Sequence, residues 1–530
     1  MAKNNERSRY DSDEDEHGNT LPVSDEETQS DTQILDEIIY PGLLLAGDYI
    51  LLKKIGFGNN ANVWLTYRIS KKTYYAIKIQ DDQCFKAGCR EVAIIKKINS
   101  YCNENQNKNI YCVNMLDYFV YEEDEKTKYV CSVYELFAGS IQMVLNGGKY
   151  KYGLPIPVVK KIAKQLLMAL DTLHNELKII HTDIKPENVL FKGAYENHLQ
   201  IMDLFIKSGF QEKYDKLKFS FENSKNNLSK SDSEKKFNED LMILAIDSVK
   251  DICSLVTTID GDEKFIPDDE NFNEDDIIEG EHESDTESES LSESYSESDS
   301  DEIQVLNERE QSVDDTIEML DYNKMHDFDA ECGYDFDSVL NNRPNTTDFK
   351  TIVDDSNILN CEIALTDFGN SYFYEKRTKN EIQDRRYRAP EVVLDFNYDY
   401  GCDIWSFACV IFELLTGFVL FDPLDAPISA PLNRDIHLLY LMEKTLGEIP
   451  ISMKKASKRN RFLFDKKRNY HIKNIEPFVK KPLKEKLIKQ FLFSEQEATE
   501  ISDFLMCGLK YIPSQRMSAK NMLNHPWLKN

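Results

Sequence analysis

Apolar positions along this chain fall into two rhythms. Tyr49–Leu52, Val63–Tyr67 and Tyr74–Ile79 are short apolar runs separated by polar or glycine-bearing turns, and they predict three consecutive strands. Val92, Ile95 and Ile98 then recur at helical spacing and predict a helix over Phe85–Ile98. Two further strands are expected around Val113–Tyr121 and Lys128–Glu135, parted by the charged turn Glu122–Lys126. Ile162, Leu166, Leu167, Leu170 and Leu173 share one helical face, so a helix is expected over Val158–Leu177. Ile363–Thr366 reads as a strand, and a strongly apolar helix opens at Asp403-Ile404-Trp405 and continues through Leu415.

Elsewhere the pattern lapses. Residues 1–38 are acidic and poor in large apolar side chains, and no basic residue lies between Lys264 and Arg309, where Ser284–Ser300 is a Ser/Glu/Asp tract. Such segments bury too little surface to offset their ordering entropy and are expected to be disordered. Within 191–360, only Leu241–Ile246 suggests a short local helix or strand.

Composition narrows the function. The 530 residues allow roughly two to four ordinary domains or one two-lobed domain with insertions. A net charge of −30 and a pI near 4.8 argue against nucleic acid as the main partner. The eleven cysteines are scattered without a CxxC pair, as expected of reduced thiols in a cytosolic or nuclear protein. The polar start Met1–Arg7 has no apolar core behind it, so no signal peptide is expected, and no apolar run reaches the roughly 18 residues of a membrane span.

The chemistry concentrates in His181-Thr182-Asp183-Ile184-Lys185-Pro186-Glu187-Asn188, a polar loop held between Ile179-Ile180 and Val189-Leu190-Phe191. A carboxylate, a cation and an amide this close together suit phosphoryl transfer to a hydroxyl. Asp183 can orient the hydroxyl and take its proton, Lys185 can neutralise the moving phosphate, and Asn188 can hold a divalent metal through its carbonyl oxygen. The turn Gly56-Phe57-Gly58-Asn59-Asn60-Ala61-Asn62-Val63 can fold backbone N–H groups over phosphates, although a hairpin without ligand has the same pattern. Lys78 stands in apolar surroundings and needs an anionic partner, for which nucleotide phosphates and Glu91 would serve; the alternative is a surface lysine on an edge strand. Asp367, at a strand end, suits Mg²⁺.

Taken in order, these motifs resemble those of eukaryotic protein kinases: Gly56-x-Gly58 with Val63, Ala76-Ile77-Lys78, Asp183 with Asn188 five positions on, Asp367-Phe368-Gly369, and Ala389-Pro390-Glu391. The resemblance covers about 40–190 and 361–530. It implies an α+β, bilobal kinase fold, with a small β-rich N-lobe and a large helical C-lobe, divided by a long, mostly disordered insert. The expected divisions are a tail over 1–38, kinase segments over 39–190 and 361–530, and a spacer over 191–360. The implied cofactors are ATP and Mg²⁺. Ile55, Gly56, Gly58, Val63, Ala76, Lys78, Glu91, Glu135 and Phe137 would surround the nucleotide, Asn188 and Asp367 would hold the metal, and Asp183 and Lys185 would be catalytic. Tyr134 would guard the back pocket before the hinge Glu135-Leu136-Phe137, and Arg516 would pair with Glu391.

A narrower likeness is to the SR-protein kinases. Thr182 replaces the usual arginine, and Ile382–Arg388, Asp403-Ile404-Trp405-Ser406, Asn524–Lys529 and the long spacer follow that family. This implies a monomer that phosphorylates serines of Arg/Ser-rich proteins, with no direct nucleic-acid or membrane partner, in the cytoplasm or nucleus. Thr182 also leaves a phosphorylated activation loop without its arginine receiver, and Gly369–Ala389 offers only Ser371 and Thr378 as Ser/Thr acceptors. Activity without loop phosphorylation is therefore expected.

Some positions depart from these patterns. Ala61 stands at the third glycine, Phe368 stands where the SR family often has Leu, and His437 and Lys444 stand at two positions where that family places acidic docking residues, with Asp435 and Glu443 beside them. Arg385, Arg388 and Arg434 match basic residues near the substrate pocket and could attract phosphoserine or pair within the chain. Two alternatives stay open: an active kinase with another substrate preference, and a pseudokinase scaffold acting through the acidic insert. The Ser/Glu/Asp tract itself resembles acceptors for acid-directed kinases.

Overall fold

A computed structural model describes residues 39–259 and 358–529, apart from 59–60, 81–82, 106–107, 124–126, 147, 194–195, 224–229, 359, 377–381, 424–432 and 476–477. The expected acidic tail over 1–38 and the Ser/Glu/Asp tract of the spacer lie outside the described residues. The chain forms two compact units. One holds residues up to Phe85 with Phe119–Cys131 and Phe205–Lys250; the other holds Lys86–Tyr118, Ser132–Leu204 and residues from Asp251 onward. Helices run over Phe85–Glu104 (α1), Ile156–Asp171 (α2), Glu196–Lys207 (α3), Phe210–Asn223 (α4), Lys230–Ile259 (α5), Gly401–Thr416 (α6), Arg434–Leu446 (α7) and Ile451–Ala456 (α8). No helix among the described residues is long and apolar enough to cross a membrane.

The first unit is built on β1 Leu44–Leu45, β2 Tyr49–Gly58, β3 Ala61–Arg68 and β4 Thr73–Gln80, with parts of β5 Met115–Glu122 and β6 Lys128–Tyr134, in the sheet order β1-β2-β3-β4-β6-β5. The strands expected from the apolar runs are present. Runs of consecutive buried residues account for them: Tyr49–Leu52 and Trp64–Tyr67 are buried at every position, as are Ala76 and Ile77, while Thr73 and Lys72 at the β3–β4 turn are exposed. The β2–β3 register slips between Leu51 and Lys53 and again between Lys54 and Gly56, which sets Ile55 in an irregularity just before the glycines.

The segment expected to begin the spacer folds more fully than its sequence suggests. Leu241–Ile246 is the middle of the 30-residue helix α5, whose residues Leu241, Ala245, Ser248, Val249 and Ile252 form one buried stripe. Side chains of the segment expected to begin the spacer join the core of the first unit. The Tyr67 ring lies 5.0 Å from Phe205 and 6.0 Å from Phe210, and its hydroxyl donates to Gln211 Oε1 at 2.7 Å. Gly42, at φ +92°, passes so close to α5 that a Cβ there would lie 2.8 Å from Ile246 Cα.

In the second unit, β7 Phe137–Ser140, β9 Val189–Lys192 and β10 Ile363–Leu365 form a sheet in the order β10-β9-β7, and β8 Ile179–Ile180 pairs with β11 Tyr372–Phe373. The spacer leaves and returns side by side. Phe191 pairs with Ile363, and the Lys192 N–H donates to Glu362 O at 2.9 Å. Buried Gln165 on α2 clamps the returning strand, donating to Cys361 O at 3.0 Å and accepting from the Ile363 N–H at 2.8 Å. Closing so long a loop is tolerable because closure entropy grows only logarithmically with length. Helix α6 is apolar on all sides because it is buried from Cys402 to Thr416. Helix α2 is shorter than expected: after Asp171 a wider turn over Thr172–Leu177 takes over and ends at left-handed Lys178, φ +58°.

Candidate active site

Short elements of the second unit position the catalytic-type loop. β8 delivers the chain to His181, and a single 3₁₀ turn, Pro186–Asn188, leads into β9. Between them the carboxylate of Asp183 is buried and doubly held: Asn188 Nδ2 donates to its Oδ2 at 3.0 Å and to its backbone oxygen at 2.8 Å, and Lys185 Nζ lies 3.0 Å from Oδ2. Burial disfavours the charge on Lys185, but the adjacent Asp183 carboxylate, with Glu187 and Asp367, outweighs it and raises the ammonium pKa. Lys185 therefore stays charged.

Asp367 follows β10. The Thr366 N–H donates to Asn188 O at 2.9 Å, and Thr366 O receives His181 Nε2 at 2.9 Å. Because His181 Nδ1 accepts the Asp183 N–H at 3.2 Å, the ring proton belongs on Nε2. Asp367 and Thr182 both sit in the left-handed region, at φ +62° and +69°. Non-glycine residues hold such angles only when the surroundings over-determine them. For Thr182 the surroundings are visible. Asp403, fully buried at the start of α6, accepts the N–H groups of His181 and Thr182, both at 2.8 Å, and contacts His174 Nε2 at 2.9 Å. Burial works to raise the Asp403 pKa, yet His174 and the other partners hold it below the usual carboxylate value. The Thr182 hydroxyl donates to Asn370 O at 2.7 Å, tying this loop to the segment after Gly369.

Sequence reasoning picked out Asp403 as the opening of a helix and as part of the SR-family likeness, and it did not single out His174. Their role as a clamp on the loop backbone depends on contacts across more than 200 residues and has no local signature. Glu91 on α1 is buried, and its Oε1 accepts the Phe368 N–H at 3.3 Å, while Arg90 donates to Gly369 O at 2.8 Å. Glu135 is exposed at the end of β6, Tyr134 before it is buried, and Phe137 is buried where β7 begins.

In the first unit, Gly56, Val63 and Lys78 form one cross-strand row: Gly56 pairs with Val63, and Val63 with Lys78. Ala76, opposite Leu65, shares the face of Lys78 by the two-residue period of a strand. Gly58 pairs with Ala61 across the turn, whose residues Asn59 and Asn60 lie outside the described residues.

Around the activation-type segment, Arg386 bonds Asp384 at 3.1 Å and lies 3.7 Å from Glu187. Arg385 contacts Asp435 at 3.1 Å, and Arg459 reaches the other oxygen of that carboxylate at 2.8 Å. Arg388 donates to Gln383 O at 2.8 Å. Buried Glu443 pairs with buried Lys454 at 2.8 Å, and His437 and Lys444 are also buried. Arg516 meets Glu391 at 2.7 and 2.6 Å through two nitrogens, both side chains almost wholly buried.

A carboxylate held against a cation and an amide, with a second carboxylate nearby on a strained backbone, is what in-line phosphoryl transfer to a hydroxyl requires. In an α+β chain with a glycine-bearing hairpin and a strand lysine, that arrangement defines a bilobal protein kinase. The chain belongs to the protein kinase domain family, which matches residues 49–222 and 352–528 on either side of the insert. It is 49% identical over 521 residues to the serine/threonine-protein kinase L205 of Acanthamoeba polyphaga mimivirus, covering 98% of this chain and 94% of that one. It is 28% identical over 492 residues to the protein kinase dsk1 of Schizosaccharomyces pombe, covering 91% and 80%, and 27% identical over 530 residues to the SRSF protein kinase 3 of Mus musculus, covering 96% and 92%. The protein is a serine/threonine protein kinase with an insert dividing its domain, and the likeness to SR-protein kinases extends along nearly the whole chain.

Proposed function

We propose that this kinase transfers the γ-phosphoryl group of ATP to serines of Arg/Ser-rich proteins, with Asp183 as the base that orients the acceptor hydroxyl. The observation that supports the proposal is the Asp183–Lys185–Asn188 cluster, tied to the residue before Asp367 by the Thr366 N–H bond to Asn188 O at 2.9 Å. Lys185 balances charge on the moving phosphoryl group, and Lys78 engages the α- and β-phosphates. Ile55, Gly56, Gly58, Val63, Ala76, Glu135 and Phe137 line the nucleotide, and Glu91 anchors the lysine.

Asn188 directs its amide nitrogen to Asp183, so its carbonyl oxygen is the group left for a cation. Among the described residues no cluster of three or more His, Cys, Asp or Glu side chains could hold a metal. That fits Mg²⁺ carried in with the nucleotide, which takes one or two protein oxygens and keeps phosphates and waters for the rest. Bound there, Mg²⁺ would neutralise phosphate charge; the protein's part is to orient and to accept the proton.

Loop phosphorylation is not needed on this proposal. Thr182 ties the catalytic loop to Asn370 directly, and Ser371 is fully buried, its hydroxyl donating to His181 O at 2.9 Å. Thr378 lies outside the described residues.

A second substrate preference is favoured by one observation: Asp435 and Glu443, the acids nearest the docking positions, are engaged by Arg385, Arg459 and Lys454. A kinase with those acids occupied would select substrates around the phosphosite instead of by a distant arginine-rich segment. The test uses phosphatase-treated protein, ATP and Mg²⁺ on a peptide array containing Arg-Ser repeats and acidic peptides. Activity on Arg-Ser peptides that Asp183→Asn abolishes supports the proposal. Strong turnover of acidic peptides alone selects the second preference, and activity that appears only after loop phosphorylation refutes the account of Thr182.

A further inference from the structure

One surface of the second unit concentrates positive charge, opposite in sign to the tail and spacer. β12 Phe464–Asp465 and β13 His471–Ile472 pair as a hairpin whose turn carries Lys466, Lys467 and Arg468 in succession, all exposed. Lys455 at the end of α8 and Arg461 before the hairpin are also exposed, and Lys455 Nζ lies 5.5 Å from the centre of the Tyr470 ring. Between residues 455 and 475 there are eight lysines and arginines, of which Lys458 pairs with Asp395 at 3.3 Å and Arg459 with Asp435 at 2.8 Å, and a single acid, Asp465, whose carboxylate accepts the Lys467 N–H at 2.8 Å.

The turn is held in shape. The Tyr470 N–H donates to Asp465 O at 2.8 Å and the Lys473 N–H to Leu463 O at 3.0 Å. It is also anchored to the core, because the Ser457 hydroxyl donates to Leu394 O at 2.8 Å and Arg459 to Val393 O at 2.9 Å. A fixed, strongly cationic surface on a chain of net charge −30 calls for an anionic occupant.

The chain carries its own complement. Residues 265–302 contain seventeen acids and no lysine or arginine. The described segments on either side of the masked stretch, Asp251–Ile259 and residues from Ile358, belong to the same compact unit as the hairpin. The joining chain is long, at roughly 3.3–3.6 Å per extended residue, and a tethered segment acts at an effective concentration on the order of millimolar. The N-terminal tail is less suited, with twelve acids against three bases in residues 1–38, and it leads into the other unit. The negative charge of the chain is concentrated in residues 1–38 and 260–357, so a nucleic acid approaching the patch competes with the tethered tract.

We propose that the Lys466–Arg468 hairpin and its flanking cations are a docking surface for the chain's own acidic spacer tract, residues 265–302. Phosphate groups added to the serines of that tract strengthen the contact. The surface is independent of which protein substrate the kinase selects.

The test titrates a fluorescent peptide of residues 265–302 into the intact chain and into the chain lacking 265–302, followed by anisotropy. The deleted chain is expected to bind the peptide at least about tenfold more tightly than the intact one, whose site is already filled. Binding is expected to weaken steeply with added salt, and Lys466→Glu, Lys467→Glu and Arg468→Glu together, in the deleted chain, are expected to weaken it a further tenfold or so. These side chains are exposed, and an unchanged thermal melt shows that the triple variant folds. Equal affinity for intact and deleted chains overturns occupancy by the tract, and binding insensitive to the charge reversal overturns the site. If removal of residues 1–38 opens the surface instead, or if the intact chain prefers a single-stranded RNA oligonucleotide to the peptide, the proposal also falls.

Discussion

Asp403→Asn is the sharpest perturbation available, because it keeps the volume and removes only the charge and one acceptor. Asp403 Oδ1 and Oδ2 each accept a backbone N–H of the catalytic loop at 2.8 Å, and Oδ2 also faces His174 at 2.9 Å, in a fully buried site. In the amide, one of the two atoms facing those N–H groups becomes an NH₂ donor, so one backbone donor loses its acceptor. A buried hydrogen bond to a charged group contributes about 1.5–3 kcal/mol, so the clamp as a whole amounts to about 3–5 kcal/mol. The same bonds hold Thr182 at φ +69° beside Asp183. Without them the backbone is expected to relax, and a displacement of about 1 Å at the base can lower turnover by about 100-fold.

The assay is urea unfolding with turnover on the best peptide. The variant is expected to lose about 1.5–3 kcal/mol and about 100-fold in kcat, with little change in the KM for ATP. The sign of the pH effect follows from the lowered Asp403 pKa: its stabilisation is present above the unfolded value and is lost as pH falls through the folded one. The variant should therefore show a smaller loss of stability on acidification than the parent. A variant within 1 kcal/mol of the parent, by the roughly ±0.5 kcal/mol ordinary for neutral changes, and with unaltered kcat would refute the clamp.

Three further outcomes are expected. Burial pushes Glu413 up to about 7 despite its hydrogen bond from Tyr387 at 2.7 Å, so its charge opposes folding as pH rises from the unfolded value through 7; Glu413→Gln should stabilise the protein by the order of 1–3 kcal/mol at pH 8 and by little at pH 4.5, as read by melts across pH. Arg516→Ala strands Glu391 without its buried partner and should cost about 3–5 kcal/mol in a denaturation curve, whereas a loss below 1 kcal/mol would show that water reaches Glu391. Gly42→Ala adds a methyl 2.8 Å from Ile246 Cα at a left-handed φ and should cost about 1–3 kcal/mol, with faster hydrogen exchange along α5; unchanged exchange there would show that the helix does not press on residue 42.

Much of the site was legible because its chemistry is local in the chain. Asp183, Lys185 and Asn188 lie within one short loop, and their mutual bonds follow from that proximity. The strands around Gly56 and Lys78 were legible because short apolar runs between turn residues mark buried strands, and α6 because a helix buried on all sides is predominantly apolar. The extent of α5 was less clear. Its buried stripe is diluted by charged residues, and its stability comes from tertiary packing, which a short apolar window does not register.

By itself, then, the sequence determined the order of the motifs, the two-part kinase domain and the chemical identities of the groups that would act, since these depend on residue type and short-range spacing. The tertiary structure alone decided which distant partners hold those groups in place: Asp403 and His174 under the loop, Gln165 across the base of the spacer, Lys454 against Glu443, and Tyr67 among the spacer aromatics. Burial and long-range hydrogen bonding set those pairings. Each requires residues far apart in the chain to meet where water is excluded, and no local pattern encodes that meeting.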